Sequence, residues 1–254
     1  MSNKYINENL LSKATNENYM KNFPFPHCVI DGLLNADTLA RVLKAVKKLE
    51  LNNATFKFVN PNCPYEYNKY TYDISKIPEL KDIFDHLNGP EFLKEISRIT
   101  GIKDIIANMK GGIKGSGVHM IKRGGYLGIH TDFNTHTHEL YGSLDRRINI
   151  LIYLNPDWEL GYGGHLVLRQ PNKDPKIKNQ IRILPILNRC VIFSTTKDSW
   201  HGHEEPLMSP VGIHRCSIAN YYYTKNSNGK KDFEGDSPHN TRWWNNNFKD
   251  MKGK

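Results

Sequence analysis

From about Ile105 to Tyr223 the chain breaks into short apolar or alternating runs, each bounded by Gly, Pro or Asn, and this spacing constrains the fold most. The runs are Val118–Ile121, Tyr126–His130, Ile148–Leu154, His165–Arg169, Lys178–Ile183, Cys190–Ser194 and Arg215–Tyr223. Such spacing argues for a β-sandwich or barrel rather than a parallel sheet with crossover helices. Upstream the character is different. FPFPHCVIDGLL reads as a strand over Cys28–Ile30 closed by a turn. Asn35 or Asp37 then caps a helix running to about Glu50, with Leu39, Val42, Leu43, Val46 and Leu49 on one face. After a turn-rich stretch around Asn60–Tyr70, two more helices fit Pro78–Leu87 and Pro90–Thr100. Helices first and strands later predict an α+β fold, mainly β, with helices packed on a double-sheet core.

The 254 residues suit one domain with extensions. The expected division is a polar, Asn-rich N-terminal arm over 1–22, mobile and with at most one short helix, a main domain over 23–224 with its β core at about 105–224, and a C-terminal extension over 225–254. In that extension Trp243, Trp244 and Phe248 are expected to dock on the body. No apolar run is long enough for a membrane span, and the N-terminus lacks an apolar signal region. A cytoplasmic protein is the default expectation. Cys28, Cys63, Cys190 and Cys216 are widely spaced, which argues against a disulfide framework and against cysteine-bound zinc. The net charge of +9 is spread along the chain, a pattern that speaks to solubility before nucleic-acid binding.

The chemistry gathers around GGYLGIHTDFN. On a strand, period-two alternation puts His130 and Asp132 on one face, roughly 7 Å apart along the backbone. A third ligand is available in STTKDSWHGHEEP, where His201 follows the apolar strand CVIFS. Two imidazoles and one carboxylate on one face of an octahedron leave open positions, the arrangement of non-haem iron(II) oxygen chemistry. His203, two positions on, shares the face of His201 if the strand persists and competes with it. An oxygenase of this kind uses a dicarboxylate co-substrate and therefore needs a cation deeper in the pocket. Arg215, on HRCSIANYYYT, suits that role, because its planar fork binds a carboxylate bidentately and keeps its charge. Ser217 lies on the same face of that strand. On RINILIYLN, Asn149, Leu151 and Tyr153 share one face, so Tyr153 either points its phenol at the same dicarboxylate or is a core tyrosine.

Taken in order, GGYLGIHTDFN, DRRINILIYLNPDWELGYGGHLVL, NRCVIFSTTKDSWHGHEEPL and HRCSIANYYYT resemble the 2-oxoglutarate/iron(II) oxygenases of the prolyl 4-hydroxylase-like group. The opening FPFPHCVIDGLL and the late PHNTRWW fit the same likeness, which runs from about residue 23 to 224. The resemblance implies a double-stranded β-helix, or jelly roll, with iron(II) held by His130, Asp132 and His201. It implies 2-oxoglutarate bound through Arg215, with Ser217 and Tyr153 as helpers, and O2 as co-substrate with ascorbate as reductant. It favours His201 over His203 because of the Trp-His-Gly context. Gly163 and Gly164 match the Gly-Gly turn before the next strand. One departure is that many collagen-type enzymes carry Lys where Arg215 stands, and the spacing after the distal His is longer here.

The expected reaction is hydroxylation of an unactivated C–H bond, with succinate and CO2 as co-products. A prolyl or related residue of a peptide or protein is the favoured substrate. A small-molecule or sugar hydroxylase, and a non-catalytic cupin-like metal- or sugar-binding barrel, are the alternatives. Arg215 with Ser217 separates the enzymes from the barrel, which needs no dicarboxylate anchor. A nucleic-acid demethylase of the same superfamily usually shows a second Arg six positions after the first, where this chain has Tyr221. Substrate choice is expected on the loops Asn60–Tyr72 and Asn134–Ser143.

Overall fold

The computed structural model describes residues 4–107, 116–138, 140–171, 179–225, 239–244 and 251–252. In chain order the elements are α1 (Glu8–Ser12), α2 (Asn16–Lys21), β1 (His27–Asp31), α3 (Ala36–Lys47), β2 (Phe56–Phe58), β3 (Glu66–Tyr72), α4 (Lys81–Leu87) and α5 (Pro90–Thr100). They are followed by β4 (Gly117–Thr131), β5 (Thr135–His138), β6 (Gly142–Tyr153), β7 (Leu166–Arg169), β8 (Gln180–Ile183), β9 (Arg189–Ser194), β10 (Trp200–His203), β11 (Arg215–Lys225), β12 (Arg242–Trp243) and β13 (Met251–Lys252). None of the described helices is long and apolar enough to cross a membrane.

The strands form a curled antiparallel sheet in the order β1-β9-β6-β11-β4-β10-β7-β8. This is the mainly β, jelly-roll arrangement that the sequence predicts. Alternation gives the sheet two different faces. Ile148, Ile150 and Ile152 of β6, Cys190 and Ile192 of β9, and Cys216 and Ile218 of β11 pack outward against Val42, Leu87, Phe92, Ile96 and Ile99 of the helices. Leu151, Tyr153, Val191, Phe193, Leu166 and Leu168 point the other way, into the barrel.

β4 links the two walls. Residues 117–121 pair with β11, while Leu127 and His130 pair with β10. The turn of the strand between these segments falls at Gly124 and Gly125. Gly124 has φ +76°, and a Cβ on Gly125 would lie 2.8 Å from the carbonyl oxygens of Lys122 and Tyr67. Only glycine lets β3 and β4 approach so closely at that point.

Three expectations need correction. The N-terminal arm is folded against the body: Ile6 and Leu11 are buried in the main core, and fully buried Tyr19 exchanges a 2.9 Å hydrogen bond with Ser194 Oγ of β9. Its polar composition conceals three apolar anchors: Ile6, held by a β-bridge to Leu34, Leu11 on α1 and Tyr19 on α2. Part of the turn-rich stretch is the strand β3, paired with β4 from Glu66↔Leu127 to Tyr72↔Val118. Asn68 adopts φ 50° and shifts the register between Tyr67 and Lys69, and this breaks the period-two pattern. Asn134–Ser143 likewise contains β5, paired with β6.

The helices come out close to expectation. Asn35 caps α3, its Oδ1 accepting from the Thr38 amide at 2.9 Å. α5 spans Pro90–Thr100 and stops at Gly101, which has φ 74°. The expected helix over Pro78–Leu87 divides into a 3-10 turn, Pro78–Leu80, and α4. At the C-terminus Trp243 and Trp244 dock as expected. β12 pairs Trp243 with His130, Trp243 stacks on Tyr65 with centroids 4.7 Å apart, and Trp244 meets Trp200 edge-on. Phe248 lies outside the described residues.

Candidate active site

The register of β4 against β10 places His201 directly opposite His130, with ring centroids 4.5 Å apart. Asp132 follows at the end of β4, one residue past the strand. Ligating atoms of His130, Asp132 and His201 all lie within 4.8 Å of one another. The carboxylate faces both rings: His130 Nε2 is 3.7 Å from Asp132 Oδ1, and His201 Nε2 is 3.3 Å from Oδ2.

The outer nitrogen of each ring is committed. His130 Nδ1 lies 2.9 Å from the Gly128 carbonyl oxygen, and His201 Nδ1 lies 2.9 Å from that of Ser199. A carbonyl only accepts, so each Nδ1 carries the proton and each Nε2 presents its lone pair inward. These two lone pairs and a carboxylate oxygen suit a divalent first-row metal, with the backbone carbonyls orienting the imidazoles. Burial, and next the neighbouring His201, hold the His130 pKa below the ordinary histidine value. Burial alone would raise the Asp132 pKa, but Arg146 and then His201 outweigh it and keep the carboxyl well below its usual range. Both groups are therefore in their ligating protonation states at neutral pH.

Arg146 was not anticipated as part of this site. Its guanidinium is buried and approaches Asp132 Oδ2 at 3.0 Å. Asn149 completes the bracket: its Nδ2 donates to the same oxygen at 2.7 Å, while its Oδ1 accepts from Arg146 Nε at 3.0 Å. The guanidinium also stacks 3.5 Å from the Tyr221 ring centroid. Strand parity from Asn149 and Tyr153 would send Arg147 inward and Arg146 outward. A register shift between Tyr222 and Tyr223, opposite Ile148 and Arg146, reverses that parity. Arg146, from the neighbouring strand, thus lies against the residue at position 221.

The second half of the site lies on β6 and β11. Arg215 is 4% exposed. Its Nε donates to the Gly164 carbonyl at 2.8 Å, and its NH2 nitrogen donates to the Tyr153 hydroxyl at 3.3 Å. Ser217 is buried and directly opposite Tyr153 in the ladder. Tyr153 therefore meets Arg215 through its hydroxyl, with Ser217 beside Tyr153 in the ladder. A Cβ on Gly164 would lie 2.7 Å from Leu207 and 3.0 Å from Arg215 Cδ, so the Gly-Gly turn is what lets the arginine side chain lie flat there. Among the described residues no carboxylate pairs with Arg215, and burial lowers its pKa.

His203 is on the same strand and face as His201, but it does not join the three converging ligand groups. Trp243 completes the wall beside the triad, its ring centroid 5.1 Å from that of His130.

Residues 116–223 match the family model of the 2OG-Fe(II) oxygenase superfamily. No curated protein matches the sequence. Among solved structures, the chain is similar to a Trichoplax adhaerens prolyl hydroxylase in complex with a hypoxia-inducible-factor oxygen-degradation-domain peptide fragment, at 19% identity and TM-score 0.59, over 85% of this chain and 89% of that one. It is also similar to a Pseudomonas putida prolyl-4-hydroxylase at 14% identity and TM-score 0.55, over 85% and 99% of the two chains. HygX from Streptomyces hygroscopicus, with nickel, 2-oxoglutarate and hygromycin B bound, aligns at 11% identity and TM-score 0.51, over 86% and 88%. Residues 116–223 thus resemble the 2OG-Fe(II) oxygenase superfamily, and over 85% of its length the chain shares the fold of prolyl 4-hydroxylases.

Proposed function

We propose that the chain is an iron(II)- and 2-oxoglutarate-dependent dioxygenase in which His130, Asp132 and His201 hold the metal. Arg215 takes the C5 carboxylate of 2-oxoglutarate, assisted by the hydroxyls of Tyr153 and Ser217. The observation that carries this reading is a buried guanidinium without a carboxylate partner, in the same barrel as a converging His-Asp-His group. A metal-binding barrel without turnover has no need for such a cation.

The overall change is R–H + O2 + 2-oxoglutarate → R–OH + succinate + CO2. Iron, when bound, supplies the oxygen chemistry. The chain's residues position the reactants. Arg146 and Asn149 bracket Asp132 Oδ2 and leave Oδ1 without a hydrogen bond from either of them. Arg215 and Tyr153 orient the dicarboxylate, and Phe193 and Leu168 line a dry interior behind it.

The favoured substrate is a prolyl or related residue of a peptide, a reading supported by the likeness to the two prolyl hydroxylases. A second reading, a hydroxylase of small molecules or sugars with ascorbate as reductant in either case, is supported by the likeness to HygX. Anaerobic purification followed by succinate assays with iron(II), 2-oxoglutarate, prolyl peptides and aminoglycosides tests both. Succinate release stimulated by one class, and lost in His201→Ala, is the expected result. Failure to bind iron(II), together with no succinate from any substrate, would sink the assignment.

A further inference from the structure

His203 is the polar group near the triad that the site described so far does not use. It is 3% exposed, and among the described residues neither ring nitrogen has a hydrogen-bond partner. Buried polar atoms in folded proteins are normally paired, because an unpaired one loses its water and gains nothing in return. A histidine kept for packing alone would bond at least one nitrogen to a nearby carbonyl, as His130 and His201 both do.

Its position suggests what the missing partner is. The register shift between His201 and His203 puts the extra residue on β4, so alternation along β10 itself keeps His203 on the inward face of His201. The ionisable groups that act on it are Arg215, Lys69, His130 and His119. Lys69 is already occupied by Glu66 at 3.0 Å. His203 lines one cavity with Gly164, whose carbonyl accepts from Arg215 Nε, and it stands two residues from His201 on β10. A dianion held between the metal triad and Arg215 would lie on the barrel side to which this imidazole turns.

We propose that His203 is a co-substrate-binding residue, whose ring N–H donates to an oxygen of 2-oxoglutarate lying between the metal triad and Arg215. The inference rests on the preceding reading of the site. Imidazole carries at least one N–H in either protonation state, so the donor is always present. An aliphatic side chain would fill the same space without it.

The test is calorimetric titration of the full chain loaded with nickel(II), comparing wild type with His203→Leu and His203→Gln. 2-Oxoglutarate is expected to bind His203→Leu roughly tenfold to a hundredfold more weakly, the range for losing a hydrogen bond to a charged group. His203→Gln, which keeps an N–H donor, recovers most of that loss, and nickel affinity stays within about twofold. In turnover, KM for 2-oxoglutarate rises while kcat is retained. Wild-type 2-oxoglutarate affinity in His203→Leu overturns the proposal and makes His203 a core residue. A loss of nickel affinity in His203→Leu overturns it in favour of a metal ligand. Failure of the wild type to bind 2-oxoglutarate overturns the underlying reading, and the proposal with it. If His203→Leu does not fold, as judged by circular dichroism, His203→Met replaces it with the same outcomes.

Discussion

Arg146 and Arg215 are both buried, on the adjacent strands β6 and β11, yet their surroundings are opposite. Burial works against the charge of Arg146, but Asp132 outweighs it and raises the pKa; Asn149 and the Tyr221 ring complete the enclosure. Among the described residues Arg215 has only a neutral carbonyl and a phenol, and burial lowers its pKa. An ion pair closed within the protein is a structural part, whereas a buried cation with neutral partners is incomplete until an anion arrives. The same residue type thus marks a support at one end of the site and, on the function proposed above, a binding position at the other.

Removing each guanidinium is the sharpest way to break this contrast. Arg146→Met leaves Asp132 buried without its cation, and the unfolding free energy measured in urea should fall by about 3–5 kcal/mol. Arg215→Met removes a charge that has no counter-charge in the ligand-free protein, so its melting temperature should equal or exceed that of the wild type. The same variant should lose 2-oxoglutarate affinity by about 100-fold or more, read by calorimetry. Equal destabilisation by both substitutions would show that Arg215 is structurally paired after all.

A smaller effect concerns pH. His203 is held well below the ordinary histidine pKa by burial first and by Arg215 next, and His130 is also lowered. In the unfolded chain these rings titrate near 6.5, so below that pH the unfolded state binds more protons. Stability of the metal-free protein should therefore fall as pH drops from about 7 toward 5. Arg215→Met relieves part of the depression at His203 and should make the slope shallower, whereas Arg146→Met should leave the His203 contribution in place. Chemical denaturation at a series of pH values reads the difference, and equal slopes for wild type and Arg215→Met would remove Arg215 from the account.

Much of the framework was legible because it repeats locally. The alternation of Ile148, Ile150 and Ile152 against Asn149, Leu151 and Tyr153 assigned the two faces of β6 correctly, since parity needs only the pleat. The Asn35 cap and the helix over Pro90–Thr100 came out for equally local reasons. Where a bulge changes parity, local reading failed: Asn68 hid β3, and the shift at Tyr222/Tyr223 turned Arg146 inward. The N-terminal arm was misread because Ile6, Leu11 and Tyr19 are sparse in sequence and acquire meaning only against a surface formed far along the chain.

By itself the sequence determined the residue types of the site and their order, because H-x-D on a strand and Arg-x-Ser on another are consequences of a two-residue period. Only the tertiary structure decided which distant groups meet. The β4–β10 register set His201 opposite His130 and left His203 outside the converging group. The bulge on β6 gave Asp132 its buried cation, and the left-handed turn at Gly164 laid Arg215 beside Tyr153. Register and bulges are long-range choices, fixed by how whole strands pair and pack, and no local pattern encodes them.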